Sequence, residues 1–311
     1  MSAALQRVSA SAQSKQIVVV VDTPTLIQVA ARSGYPTVTD DGGGGDGVAS
    51  YLDAVPVKEP CSTLDQTYAP LRSAAPGPSL TLAVDGGDSS GSVSLCGGVT
   101  DEALLRKNFG GGDGENATVG PYQGLTANDD FVGSDSATGT TLVRDRTPPT
   151  AIVDELIGGT TAEASLWQDP DVVATLSQMP GAAVVVMGSQ ILGVSPTLAP
   201  SAIQQSMARV AAREDAGRPP VPEFGGFGWV PGERRTGTSV FVTRYGSDEE
   251  AATAASILTA VWQDLGTSKF SGAVTQQQGS LVVTVLRDTS SAEFAFQGWE
   301  LAEYPGFLGR S

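Results

Sequence analysis

The chain has 311 residues, 40% of them hydrophobic, which is core enough for a globular protein and length enough for two domains. Its net charge of −16 repels phosphate backbones and anionic headgroups, which excludes a nucleic-acid partner; its complete lack of histidine removes the one side chain that ordinarily titrates near neutrality. No run approaches the roughly 18 to 20 apolar residues that cross a bilayer as a helix, so no transmembrane segment is predicted.

Residues 1–16 are small and polar, without the apolar centre of a signal peptide. They read as a flexible N-terminal segment, either the start of a cytoplasmic protein or that of an exported one whose leader has been removed. Ile17 to Val21 is β-branched throughout, as a strand buried on both faces would be. Asp22-Thr23-Pro24 offers a cap and an early proline for a helix through Leu26, Ile27, Val29 and Ala30 that stops at Gly34. Asp40 to Gly47 is an acidic, glycine-rich insertion, and Val48 to Val55 reads as a short helix ended by Pro56. Leu80 to Val84 and Ser92 to Cys96 form a hairpin, Thr100 to Glu102 caps a helix reaching Phe109, and Gly110 to Gly114 is a second glycine-rich loop. Thr140 to Arg144 is then a strand and Thr150 to Ile157 a helix.

In the second half, Asp169-Pro170 starts a helix through Val172, Val173 and Leu176 to Met179, and Ala182 to Met187 is a strand. Pro200 starts a helix through Ile203, Met207 and Val210. Phe224 to Trp229, apolar and rich in glycine, reads as a strand crossing the core rather than as a binding loop. After the strand Ser239 to Tyr245, the acids Asp248, Glu249 and Glu250 suit the first turn of a helix, whose apolar stripe is Ala254, Ile257, Leu258, Val261 and Leu265. Leu281 to Arg287 closes the module as a strand. The whole is an α+β fold of two modules, 17–165 and 166–311, each an antiparallel sheet with helices packed on one face.

Gly87-Asp88-Ser89-Ser90-Gly91 has the spacing of a nucleophile elbow, but a strand follows it where a helix is required, and there is no imidazole to act as base. It reads as a hairpin turn, and no catalytic residue is assigned. Oxygen-only calcium sites survive the missing histidine, with Asp40, Asp41 and Asp46, then Asp113, Glu115 and Asn116, then Asp129 and Asp130 as weak loop candidates, none at EF-hand spacing. No cofactor is indicated: the phosphate-cradling glycine patterns are missing. Two cysteines, Cys61 and Cys96, are compatible with one disulfide or with two unrelated thiols.

The segments Val18 to Leu26, Glu102 to Arg106, Ser165 to Pro170, Gly226 to Trp229, Tyr245 to Trp262 and Glu303 to Leu308 together resemble the uncharacterised exported proteins and lipoproteins of actinobacteria. Only four lysines against fourteen arginines agree with such a high-GC origin. What the resemblance implies is a place at the cell envelope, secreted or held by a lipid anchor and so membrane-associated, and it carries no catalytic residues. The expected function is therefore a non-enzymatic extracytoplasmic protein that binds a partner protein or small ligand. Its competitors are a histidine-independent carboxylate hydrolase and a structural subunit of a surface complex.

Overall fold

A computed structural model of the chain describes residues 2–12, 14–33, 79–84, 91–99, 102–109, 113–146, 150–158, 164–189, 209–210, 220–232, 236–265 and 272–289. Helix and antiparallel sheet are mixed in it, with strand predominating. The chain divides into two units, one mainly of residues up to Asp169 and the other mainly from Pro170 onward.

In the first unit, α1 (Ser2–Leu5) precedes β1 (Ile17–Val21), α2 (Thr23–Arg32), β2 (Ser79–Val84), β3 (Gly91–Gly97) and α3 (Glu102–Asn108). A meander of β4 (Glu115–Val119), β5 (Tyr122–Ala127), β6 (Asp130–Asp135) and β7 (Thr140–Arg146) follows, then α4 (Thr150–Gly158) and a 3-10 turn at Leu166–Gln168. The strand order is β1-β2-β3-β7-β6-β5-β4, every pairing antiparallel. Asp22 caps α2, its carboxylate accepting the Thr25 N–H at 3.1 Å, with proline in the first turn.

The N-terminal segment is not a flexible arm. Leu5 and Val8 are completely buried, the Ala10 N–H donates to Ala164 O at 2.7 Å, the Leu166 N–H donates to Val8 O at 2.8 Å, and Lys15 pairs with Asp169 at 2.9 Å. Two apolar side chains in an otherwise small, polar stretch are enough to dock it beside the 3-10 turn.

Side chains alternate across a strand, and directly paired residues share a face. One face of the first sheet carries Val18, Val20, Leu80, Leu82, Val93, Leu95, Leu142 and Phe131. The other carries Cys96, Leu125 and Val132, onto which α3 lays Leu105, with Phe109 beyond its end. Strands β4, β5 and β6 are missing from the sequence reading because polar residues and glycines break up their apolar ones, leaving no steady alternation. The β5–β6 turn holds Asn128 and Asp129 at φ of 51° and 71°, the paired left-handed geometry that matches a twisted hairpin.

The second unit runs α5 (Pro170–Ser177), β8 (Val184–Gly188), β9 (Phe224–Pro231), β10 (Gly237–Arg244), α6 (Asp248–Leu265), β11 (Val274–Gln278) and β12 (Leu281–Thr289). Its strand order is β8-β9-β10-β12-β11, again antiparallel throughout. Phe224 to Trp229 is a buried strand, and the Phe227 and Phe241 rings pack across β9 and β10 with centroids 5.3 Å apart. The expected helix at 48–55 and most of the one from Pro200 lie outside the described residues. Of its described residues, Val210 is buried in the α6 core and Arg209 pairs with Asp264 at 2.7 Å.

Helices do not share one face in this unit. Gly226 and Gly228 face α5 and the residue beyond it: a Cβ on the first would lie 2.6 Å from Thr175 Cγ2, and one on the second 2.7 Å from Met179 Sδ. The apolar stripe of α6 instead packs with Val282 and Tyr245. Val282 pairs with Thr243, one residue out of step with Val242, the partner of Gly226, so α6 covers the opposite face. The two bare glycines let α5 approach closely, and Arg244, on the α5 side, ties it down by pairing with Asp171 at 3.0 Å and Glu223 at 2.7 Å.

Tyr245 sits wholly inside the α6 core, where burial pushes its phenol up to about 12, opposed by a 3.5 Å hydrogen bond from the Thr243 hydroxyl. The unfolded chain ionises near its ordinary value of about 10. The resulting stabilisation is thus complete below that pH and is lost as pH climbs through the folded value, by roughly 3 kcal/mol at most. Urea unfolding followed from neutral pH to pH 12 should show this alkaline loss in the second unit, and Tyr245→Phe should flatten it; equal slopes in both proteins would refute the assignment.

Candidate binding groove

The register of the meander aligns one residue from each strand into a row on the α3 side of the sheet. Thr118 pairs with Gln123, Gln123 with Ser134, Ser134 with Thr141, and Thr141 with Cys96. Four successive positions in that row therefore present hydroxyls or an amide, spaced by the ~4.8 Å between neighbouring strands. Ser134 and Thr141 share a 2.9 Å hydroxyl–hydroxyl hydrogen bond, and the Thr141 hydroxyl donates to Gly98 O at 2.9 Å. Toward β4 the row opens into a groove of about 520 Å³, whose rim is α3.

Arg106 joins that helix to the edge of the sheet. It donates through Nη2 to Glu102 Oε1 at 2.8 Å and to Asn116 Oδ1 at 2.6 Å, bridging the first turn of α3 and strand β4. Leu105 and Leu125 supply apolar lining, and Ser136 lines the groove as well. The turn carrying Ser136 is ordered by Asp135, which accepts the Thr138 hydroxyl at 2.7 Å and the Ala137 N–H at 2.9 Å. Those two bonds, the hydroxyl's first, hold the Asp135 carboxyl below the usual carboxylate range.

Of the calcium candidates, Asp40, Asp41 and Asp46 lie outside the described residues, as do Ser89 and Cys61. Asp113 is exposed just before β4, whereas Glu115 and Asn116 belong to the strand itself and not to a loop. The pleat turns those two side chains to opposite faces, so they do not converge on one ion. Asp129 and Asp130 sit at the β5–β6 hairpin, where the Thr126 hydroxyl donates to Asp130 O at 2.7 Å. Among the described residues no three His, Cys, Asp or Glu side chains are grouped to hold a metal ion. Cys96 is buried beneath Leu105 and is disulfide-bonded; the chain's other cysteine is Cys61.

The groove residues Gln123, Ser134 and Ser136 have no sequence motif. Only the hairpin register, once seen, brings them together with Thr118 and Arg106.

No helix among the described residues is long and apolar enough to cross a membrane. No protein-family model matches the chain, and no curated protein matches it. Among solved structures it is similar to TP0453 in crystal form I, with a TM-score of 0.48 and 9% identity over 97% of each chain. Crystal form III of TP0453 aligns with a TM-score of 0.49 and 9% identity over 94% of this chain and 96% of that one.

Proposed function

We propose that this is a non-enzymatic, extracytoplasmic binding protein built of two α+β modules, and that its first module holds a small polyhydroxylated ligand, a saccharide or related polyol, in the groove under α3. The observation that carries the reading is the row Thr118, Gln123 and Ser134, three uncharged groups that each donate and accept, set side by side by strand register. Neighbouring hydroxyls of a sugar ring are donors and acceptors too, and such groups recognise one another without any change of protonation. The Arg106–Glu102 pair at the rim extends the same inventory, a planar donor beside an acceptor.

Paired-carboxylate hydrolysis needs two facing carboxyls, and among the described residues lining this groove Glu102 is the sole carboxylate, already engaged by Arg106. The volume lies within the range of small-ligand sites. The disulfide at Cys96 supports an oxidising compartment, in keeping with the resemblance to exported actinobacterial proteins, where a lipid anchor would be the natural tether.

Calorimetric titration of the full chain with a panel of neutral mono- and oligosaccharides tests this directly. At least one should bind, and Gln123→Ala should weaken it about tenfold, the worth of roughly one well-made hydrogen bond or slightly more, with the circular dichroism unchanged. Absence of binding across the panel, or release of reducing ends during incubation, would overturn the reading.

A further inference from the structure

Strand β11 stands at the end of the second unit's sheet and, among the described residues, is paired on one side only, to β12. Its sequence, Val274-Thr275-Gln276-Gln277-Gln278, has no charge and no proline, in a chain whose net charge is −16. Natural sheet edges are usually blunted by a charge, a proline or a covering segment. Strand β4, which closes the first unit's order, follows that rule with Glu115. Strand β11 does not: Val274, Gln276, Gln277 and Gln278 are all exposed, Val274 by 50%.

We infer that β11 is a self-association edge, and that its partner is β11 of a second copy, joined antiparallel about a two-fold axis through Gln276. In that register Gln276 faces Gln276 of the second copy, Thr275 faces Gln277, and Val274 faces Gln278. A primary amide donates and accepts at once, so the Gln276 pair is complementary to itself, as an isologous interface demands. Five residues from each copy exchange about four to six main-chain hydrogen bonds, according to which residues point outward. The strand's lack of charge places no like-charge repulsion at the seam, although the chain as a whole is strongly acidic. In each copy Gln277 already braces the strand from the α6 side, its amide donating to Asp248 O at 2.8 Å and Gly279 O at 3.0 Å. A seam of this size is small, so the dimer is a reversible, concentration-dependent one.

Sedimentation equilibrium of the full chain, from low micromolar to near-millimolar concentration, is the test. Wild type should dimerise, and Gln276→Lys and Gln276→Glu should each weaken self-association at least about tenfold, because the axis sets like charges against each other. Mixed in equal amounts, the two variants should associate again, since a lysine then meets a glutamate. A wild type that stays monomeric throughout, a dimer indifferent to both changes, or a mixture that fails to recover would each overturn the proposal.

Discussion

Reduction of the disulfide is expected to lower the stability of the first unit by about 4 kcal/mol, the loss predicted when a loop of about 35 residues between Cys61 and Cys96 is freed in the unfolded chain. The native contacts change little, since Cys96 remains packed among Leu105, Leu125 and Val132. The effect acts through the denatured ensemble. Urea titrations with and without reductant should therefore show one transition moving to lower denaturant while the other, from the second unit, stays in place. Cys61→Ser should reproduce the shift without reductant, and coincident midpoints in all conditions would show that the crosslink constrains nothing.

Gly124→Ala should be the most damaging single methyl in the first unit. A Cβ at Gly124 would run into the Val132 carbonyl oxygen and Gly133 Cα, backbone atoms that cannot rotate away. Strands β5 and β6 would have to part where the polar row crosses them, at a cost of about 3 kcal/mol, the upper end for overpacking. Saccharide binding should fall with it, because Gln123 and Ser134 flank the displaced pair. Gly114→Ala is the matched control: its added Cβ would find nothing nearer than 3.4 Å, and a shift below about 1 kcal/mol is expected. Equal midpoints for the two variants would show that the strands yield at Gly124 without strain.

How far these features could be read from the sequence depended on how much of each element is buried. Strand β1 is legible as an unbroken β-branched run and helix α6 by apolar residues at helical spacing, and Val18, Val20, Ile257 and Val261 are all completely buried. The meander 115–135 is not: β5 and β6 bury their residues without a steady alternation, and β4, at an edge, shows most of its side chains to water. Strand β11 escapes notice for the same reason. The groove was illegible because it belongs to those hidden strands: Thr118, Gln123 and Ser134 are unremarkable polar residues until hairpin turns set them abreast. The opposite placement of α5 and α6 also left no local trace. It follows from Gly226 and Gly228 facing one way and Val282 the other, a fact of pairing rather than of composition.

The row beneath α3 has a chemical consequence of its own. Hydroxyls and carboxamides neither gain nor lose protons anywhere near neutrality, and with no imidazole in the whole chain nothing else among the side chains ordinarily does so either. A ligand held by those groups, as proposed, would be gripped equally in mildly sour and mildly alkaline surroundings. In the extracytoplasmic setting proposed above, grip that ignores ambient acidity would be a form of constancy that a histidine-bearing site lacks.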